Sequence, residues 1–343
     1  MISGDRERYS RIFRIPMQIS QDTLNLHLES IVIDAHCDSM GRELEGRRLL
    51  KDYSTLGQWD FPRAAVGGLT TEFLATFVSP ERGGGGVRQT MQFIDIFHRG
   101  IEDNSDTIVQ VLRADDIRTA KQTGKLGLML SMEGAEGLEG DLRVLRNCYR
   151  LGLRCLGLTW NRRNEAADGL AESSTGGGLT SIGRKIVEEC SKLGILLDIA
   201  HIAPKGVKDL LEIYQGPVLS THANSYSLCA HPRNHTDDLL EGIARRGGVV
   251  GVTPVPPFLE LDRDSSSLLM LLDHIDHIVK VMGEDGVAFS GDFDGVGDLR
   301  VVGMEDVTKL PNLTQGLVDR GYSVQAIKKI LGENLLRVIS QIV

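Results

Sequence analysis

Short apolar segments alternate with longer amphipathic segments along most of this sequence. The short segments are bounded by Gly, Pro or charged residues, which is typical of buried strands, whereas the longer ones repeat apolar residues at helical spacing. Eight strands are predicted, at residues 31–35, 69–78, 126–132, 153–159, 195–200, 217–221, 249–253 and 287–290. Helices are predicted at residues 87–101, 141–150, 182–193, 204–213, 237–246, 266–282 and 323–342.

The alternation of strands and helices predicts the architecture. When a helix returns the chain to the same end of the sheet after each strand, the strands run parallel. Eight such units predict an α/β protein with a closed (β/α)8 TIM barrel. We predict a single domain over residues 1–343, in which residues 1–30 form an N-terminal extension.

Nucleotide-binding architectures are the alternative. An open doubly wound sheet usually carries a Gly-x-Gly-x-x-Gly turn after its first strand, and residues 33–44, IDAHCDSMGREL, lack it. The Gly-rich segments 83–86 and 176–178 lack the Lys-Ser/Thr that ends a phosphate-binding loop. We interpret both segments as flexible loops.

Composition and charge limit the partners of the protein. Hydrophobic residues make up 41% and charged residues 25% of the chain, as in ordinary globular proteins. Asp and Glu outnumber Lys and Arg by 47 to 38, and the net charge of −9 argues against a nucleic acid or an anionic membrane surface as a partner. The five cysteines form no Cys-x-x-Cys pair, and no segment is typical of a signal peptide or a membrane span. We therefore predict a cytoplasmic location.

Six residues with metal-ligating side chains lie at the carboxyl ends of five predicted strands: His36, Asp38, Glu133, His201, His222 and Asp292. The strands of a parallel barrel open their carboxyl ends on one face, where barrel active sites are built. Strand periodicity also places the first two side chains on one side of the chain and Cys37 on the other. Helix capping is the alternative for any single one of these residues. Six together predict a metal site.

The number of candidate ligands indicates two metal ions. Three imidazoles and up to three carboxylates exceed the four ligands of one tetrahedral zinc, so two divalent ions that share a carboxylate fit the set better. Mixed nitrogen and oxygen ligands favour Zn²⁺, with manganese, cobalt and iron as alternatives. A water that bridges two such ions has a pKa near neutrality and serves as a hydroxide nucleophile.

Several motifs resemble one known family: IDAHCDSM, SMEGAEGL, DIAHIAPKGVKDLLE, GPVLSTHANSYSLCAHPRNHTDDLLE, GVAFSGDFDGV and GENLLRV. They look like the renal (membrane) dipeptidases, binuclear zinc metallopeptidases of the amidohydrolase type, from about residue 31 to residue 338. The resemblance implies that His36 and Asp38 hold one zinc ion and that Glu133 bridges both ions. It also implies that His201 and His222 hold the second ion.

The same resemblance implies roles in substrate handling. Asp292 matches the family's acidic residue that moves the proton of the attacking water, and Arg233 matches the arginine that grips the free carboxylate of the dipeptide. One position departs from the family, because Trp160 stands where other members have a histidine that contacts the scissile carbonyl oxygen. An indole N–H donates one hydrogen bond but carries no positive charge. Stabilisation of the oxyanion is therefore expected to be weaker, or to fall to Asn161 or the metal.

The sequence thus predicts a zinc-dependent dipeptidase, with dipeptides that end in a D-residue among the candidate substrates. The nearest alternative is another amidohydrolase activity on the same barrel, although such sites usually pair two histidines on the first strand. A non-catalytic metal-binding or peptide-binding protein is the alternative from a different class. Barrels of this type are commonly dimers, so a homodimer is a further expectation.

Four more histidines and one aspartate are weaker candidates. His274 and His277 lie three residues apart in a predicted helix, but a solvated or subunit-facing stripe explains them better than a second metal site. His231 and His235 flank Arg233 in the loop after the sixth predicted strand and are candidates for the pocket wall. Asp294 is the second choice for the proton shuttle.

Overall fold

The computed structural model describes residues 18–79, 82, 85–261 and 266–342. Within these residues the parallel sheet contains β1 (Ile33–Cys37), β2 (Thr71–Phe77), β3 (Ile108–Gln110), β4 (Leu126–Glu133), β5 (Leu153–Gly157), β6 (Leu196–Asp198), β7 (Leu219–Ser220), β8 (Val249–Val252) and β9 (Val287–Phe289). Eight strands pair in the order β1-β2-β4-β5-β6-β7-β8-β9, and each overlaps one predicted strand. The prediction of a (β/α)8 barrel is confirmed.

Strand β3 is the strand that the pattern missed. Because β2 occupies one edge of β4 along its length, β3 and β5 share the other edge. Strand β3 pairs with β4 up to Leu128, and β5 takes over from Leu130. A three-residue strand is too short to give a hydrophobic period, which explains why it was not predicted.

The described helices are α1 (Gln21–Glu29), α2 (Met40–Leu44), α3 (Phe61–Val66), α4 (Gly86–Glu102), α5 (Ala114–Thr123), α6 (Leu142–Arg150), α7 (Ser181–Leu193), α8 (Pro204–Ile213), α9 (Asp237–Arg245), α10 (Pro256–Leu259), α11 (Leu268–Met282), α12 (Leu310–Asp319), α13 (Val324–Lys328) and α14 (Asn334–Ile342). Six of the seven predicted helices are present with bounds within two residues of those expected. In the part of the chain that the structure describes, no helix has the length and hydropathy to cross a membrane.

The prediction of one continuous helix over residues 323–342 is wrong. A wide π-type turn at Lys329–Glu333 separates α13 from α14, and Gly332 has an extended backbone with φ 179°. A side chain at this position would overlap the carbonyl oxygen of Ile31, so the glycine lets the turn pass directly beneath the start of the first strand. Hydrophobic periodicity does not reveal such a backbone contact.

The two faces of the barrel wall pack into two separate hydrophobic clusters. On β4, Leu128 and Leu130 join the larger cluster, which contains Phe93 of α4. Met129 points to the opposite face and joins a smaller cluster with Phe73 and with residues of α14. Because side chains alternate along a strand, Glu133 continues the inner face of Met129 and reaches the mouth of the barrel.

The first and last strands approach each other at their carboxyl ends. The backbone N–H of Asp38 donates to the carbonyl of Phe293 (2.9 Å), and that of Asp292 donates to the carbonyl of His36 (3.0 Å). These bonds bring three of the candidate ligands to one seam. Cys37 faces away and donates to the Ser39 hydroxyl, and all five cysteines are buried and unpaired.

Helix α1 belongs to the predicted N-terminal extension. The hydroxyl of Ser20 caps it by accepting from the backbone N–H of Thr23, and the helix packs against α12. Its buried His27 binds the Thr314 hydroxyl (2.7 Å) and the carbonyl of Gly67 (2.8 Å). Residues 1–17 of the extension, and Gly83 and Gly84 of the first Gly-rich segment, lie outside the described residues. The single-domain division stays a prediction.

Candidate metal centre

The structure brings the six predicted strand-end residues together at the mouth of the barrel. They lie on β1, on β4 or just after β1, β6, β7 and β9, and all are buried or half-buried: His36, Asp38, Glu133, His201, His222 and Asp292. Two overlapping groups of three side chains have their ligand atoms within 4.8 Å of one another. One group joins His36, Glu133 and His222, and the other joins His36 with the two aspartates.

The carboxylate of Glu133 lies at the centre of this cluster. Its Oε2 is 3.8 Å from Nε2 of His36, which is 3.3 Å from Oδ2 of Asp38. Its Oε1 faces the other two histidines, at 3.0 Å from Nε2 of His201 and 3.7 Å from Nε2 of His222. The two oxygens of one carboxylate therefore address two different sets of nitrogen and oxygen donors.

The hydrogen bonds behind His222 fix its tautomer. The carboxylate of Asp198 only accepts, so the Thr221 hydroxyl donates to it (2.7 Å) and must accept from Nδ1–H of His222 (2.8 Å). Nε2 of His222 therefore carries a free lone pair. A partner behind the imidazole that sets the tautomer in this way is typical of metal-ligating histidines.

His201 is held in the same tautomer by a different residue. Its Nδ1 donates to Oδ1 of Asn161 (2.8 Å), which leaves its Nε2 as an acceptor. This Nε2 lies 2.8 Å from Nε2 of His222, and burial lowers the pKa of both imidazoles well below its usual value. Two neutral nitrogens that face each other with lone pairs repel. A cation beside them removes that repulsion, so this donor set fits a metal.

The electrostatic potential of the cluster also favours cations. Burial opposes protonation of His36, but the carboxylates of Asp38 and Glu133 together raise its pKa to about 10. Burial and the neighbouring Asp38 raise the pKa of Glu133 well above its usual value. Burial raises the pKa of Asp292 to about 7. Carboxylates that repel one another in a buried site are stabilised by bound cations.

The backbone is strained at two of the candidate residues. Asp292 has φ 47° and His201 has φ 66°, a left-handed conformation that residues with a side chain rarely adopt. Such conformations cost of order 1–3 kcal/mol and cluster at functional sites. Gly295 leaves room for two of the candidate ligands, because a side chain at this position would overlap the carboxylates of Asp38 and Asp292.

A cavity of about 420 Å³ lies in front of the cluster and is lined by the residues that were predicted to bind substrate. The guanidinium of Arg233 is buried, donates to the carbonyl of His222 (3.2 Å) and lies 5.4 Å from the ring of Phe258. Its Nε has no partner among the described residues. Trp160 lines the cavity between Phe77 and His201, with ring centroids 5.4 and 6.1 Å away.

Asn161 has a hydrogen-bond partner that the sequence did not predict. It lines the cavity, and its side-chain oxygen accepts from Nδ1–H of His201; its predicted role in oxyanion stabilisation stays a prediction. Sequence reasoning also missed Asp198 and Thr221 behind His222. The signal for Asp198 was present, because it is the one charged residue within the apolar segment of residues 195–200.

The weaker candidates do not join the cluster. His274 is buried, accepts from the backbone N–H of Ser225 (3.1 Å) and lies 3.1 Å from the Leu259 carbonyl, so the expectation of a solvated stripe is wrong for this residue. His277 pairs with Asp237 at 2.8 Å. His231 and Asp294 line the cavity, although the carboxylate of Asp294 is bound by Ser39, Arg48 and Gln58. His235 is buried against Ser220.

Comparison with known proteins gives a consistent picture. The profile of the membrane dipeptidase family (peptidase family M19) matches residues 20–343. The dipeptidase aclJ of Aspergillus oryzae is 34% identical over 297 residues, which span 83% of this chain and 70% of that protein. The crystal structure of dipeptidase AC, a metallopeptidase of family M19, aligns with a TM-score of 0.85 and 28% identity over 92% of this chain and 99% of that one. A metallopeptidase from Rhodobacter sphaeroides, solved with a phosphinate mimic of the dipeptide L-Ala-D-Ala, aligns with a TM-score of 0.84 and 28% identity over 92% of this chain and all of that one.

Proposed function

Since this chain belongs to the membrane dipeptidase family, peptidase family M19, and is a metal-dependent dipeptidase, we propose that the strand-end cluster is its catalytic centre. In this proposal the cluster holds two zinc ions. His36 and Asp38 would hold one ion, His201 and His222 would hold the other, and Glu133 would bind both.

The observation that carries this proposal is the arrangement of donors around Glu133. Nε2 atoms of His201 and His222, both in the acceptor state, lie on the side of Oε1, whereas His36 and Asp38 lie on the side of Oε2. One ion on each side of the carboxylate uses every donor once. Nitrogen and carboxylate ligands of this kind favour zinc among the divalent metals of cells.

Bound divalent ions would polarise the scissile carbonyl and lower the pKa of a water that they share. Asp292 is the residue that then moves the proton. It lies beside Asp38 and Gly295 at the cavity, and burial raises the pKa of its carboxyl to about 7, which suits a group that accepts and returns a proton near neutral pH. Asp292 would pass this proton to the departing amine.

Arg233 is proposed to bind the terminal carboxylate of the substrate. A buried guanidinium with an unpartnered Nε is poised to donate two charge-assisted hydrogen bonds to a carboxylate. Burial lowers the pKa of Arg233 to about 10, and the side chain still carries its charge at neutral pH. This contact would make the enzyme specific for free dipeptides.

Trp160 is proposed to take the place of the family's histidine at the scissile carbonyl oxygen. Its indole lies edge-on to Phe77 and close to the ring of His201, which holds it at the cavity wall. It offers one neutral hydrogen-bond donor. We expect a smaller contribution to oxyanion stabilisation than an imidazolium would make.

The experiment that tests this function combines metal analysis with substrate profiling. The purified protein should bind about two zinc ions per chain and hydrolyse members of a panel of L-L and L-D dipeptides. Zinc-loaded protein that cleaves none of them would contradict the proposal. The cytoplasmic location and the homodimer stay predictions, to be checked by fractionation and by sedimentation.

The carboxylate contact has its own test. Arg233→Met should lower kcat/KM for free dipeptides by about 10-fold to 100-fold, because 1.5–3 kcal/mol of charge-assisted bonding is lost. C-terminally amidated dipeptides should be poor substrates for the wild type and equally poor for the variant. Arg245→Met removes an exposed arginine and is the matched control. Equal hydrolysis of acid and amide by the wild type would exclude this role for Arg233.

A further inference from the structure

The position of Arg233 determines which wall of the cavity meets the other end of a dipeptide, and this inference rests on the proposed function. Arg233 follows β7, whereas Glu133 ends β4 at the reacting centre. In the eight-strand order, β2 lies four positions from β7 in either direction. A dipeptide whose carboxylate is held by Arg233 and whose peptide bond lies over Glu133 therefore extends its N-terminal residue towards the loops after β1 and β2.

Two arginines from those loops line the cavity wall. Arg42 lies in α2 after β1, and Arg82 follows β2. The guanidinium of Arg82 lies over the ring of Phe93 (5.3 Å) and donates to the carbonyl of Phe77 (2.8 Å). Both rings line the same cavity, so the wall combines apolar surface with cationic groups.

The charge of this wall is positive. Apart from Asp294 and the carboxylates of the metal cluster, Glu45 is the one carboxylate among the described residues that line the cavity. Its two oxygens already contact arginines, Arg82 at 3.1 Å and Arg47 at 2.9 Å. Arg42 donates to the neutral carbonyl of Asp294 (3.3 Å) and forms no ion pair with a carboxylate of the described residues.

The donors of this wall are also incompletely used. Nε of Arg82 is buried and has no hydrogen-bond partner among the residues that the structure describes. A carboxylate in this part of the cavity would find an unpaired cation at Arg42 and, beside it, the guanidinium of Arg82, whose side chain is 21% exposed. A cationic side chain would meet repulsion, because Glu45 is not free to receive it.

We propose that Arg42 and Arg82 make this enzyme selective for dipeptides whose N-terminal residue is acidic. The side-chain carboxylate of glutamate or aspartate would be bound by the two guanidiniums, and its methylene groups would pack against Phe77 and Phe93. Arginine suits this task because its planar donors match a carboxylate. Charge complementarity of this kind gives specificity among substrates that share the same reacting group.

The test compares two isosteric substrates, L-Glu-L-Ala and L-Gln-L-Ala, with the zinc-loaded enzyme. We expect wild type to favour the glutamate substrate in kcat/KM by about 10-fold or more, the effect of a charge-assisted hydrogen bond. Arg42→Gln and Arg82→Gln should each reduce this ratio towards one. Because the ratio is taken within one variant, partial loss of folding affects both substrates equally. Arg88→Gln is the matched control, since Arg88 is exposed at the start of α4 and lies outside this cavity.

A binding measurement separates recognition from chemistry. Phosphinate mimics of the two dipeptides should show the same preference in their inhibition constants, and the preference should fall in Arg42→Gln and Arg82→Gln. Equal handling of both substrates by the wild type, or a ratio that neither variant changes, would overturn the selectivity while leaving the dipeptidase function intact. Failure to cleave any dipeptide would overturn both.

Discussion

Two aspartates separated by one residue show how a proposed catalytic group differs from a structural one in this barrel. Asp292 and Asp294 both follow β9, both have a left-handed backbone, with φ 47° and 68°, and both are 6% exposed. The carboxylate of Asp294 is fully occupied, because it accepts from the Ser39 hydroxyl, from Arg48 and from the backbone of Gln58.

The carboxylate of Asp292 is placed differently. Its neighbours are Asp38 and the imidazole of His36, and the guanidinium of Arg233 acts on it through its charge. Burial raises its pKa to about 7, because the nearby positive charges of His36 and Arg233 do not fully offset the cost of burying the carboxylate. The same residue type therefore stabilises the fold where the protein satisfies its carboxylate, and is available for chemistry where the protein leaves that carboxylate without a full set of partners.

The largest effect is expected from Glu133→Gln, which removes the central negative charge of the unsatisfied cluster. An amide cannot bridge two cations through two anionic oxygens, so both ions should be lost or displaced. Metal content should fall well below that of the wild type, and dipeptide hydrolysis should fall to background. Full zinc content with full activity would show that Glu133 is not the bridge.

Asp292→Asn should lower kcat by about 10²–10⁴-fold with zinc content unchanged, because an amide cannot accept the proton. The pH profile supplies a second readout. The active form of Asp292 is deprotonated, so kcat/KM rises with pH through its pKa, which burial sets at about 7 and which bound cations would lower. This acid limb should disappear in the variant. Loss of zinc would instead identify Asp292 as a ligand.

Asp294→Asn should have the opposite effects, a loss of stability and little change in kcat. Removing this charge takes away the closer of the two buried carboxylates that pair with Arg48, whose side chain is 5% exposed, and leaves Asp60 at 4.0 Å. The free energy of unfolding should fall by about 3–5 kcal/mol, measured by urea unfolding of the zinc-loaded protein, while kcat per folded molecule stays within a few fold. A collapse of kcat with unchanged stability would mean that the two aspartates have been assigned the wrong way round.

The smallest effect is expected from Asn161→Ala. Without the acceptor behind Nδ1, His201 is free to rotate or to change tautomer, and loss of such a contact typically costs 10-fold to 100-fold in metal affinity. Zinc affinity by chelator competition measures this effect, and turnover at saturating zinc should change little. Asn161→Asp retains the acceptor and should preserve affinity. Equal zinc affinity in wild type and Asn161→Ala would indicate that Asn161 contacts the substrate rather than supporting the metal site, as its sequence position suggested.

The fold and the candidate metal ligands could be predicted from the sequence to different extents. Strand and helix alternation is a local property, and it gave both ends of all eight barrel strands to within two residues. It failed where an element is very short, as at β3, or where a distant backbone interrupts a helix, as at Gly332 beneath Ile31. His274 shows the same limit, because its burial depends on Ser225 and Leu259, which come from other parts of the chain.

By itself, the sequence determined the barrel and the set of candidate metal ligands, because parallel strands must bring their carboxyl ends to one face whatever the details of packing. Only the tertiary structure decided what each polar residue does there. Gln58 lies 236 residues from Asp294 and Ser39 lies 255 from it, yet these contacts separate a structural aspartate from a catalytic candidate. Asn161 likewise meets His201 across 40 residues. Hydrogen bonds act over a few ångströms of space, and no local pattern records which distant residues the fold brings that close.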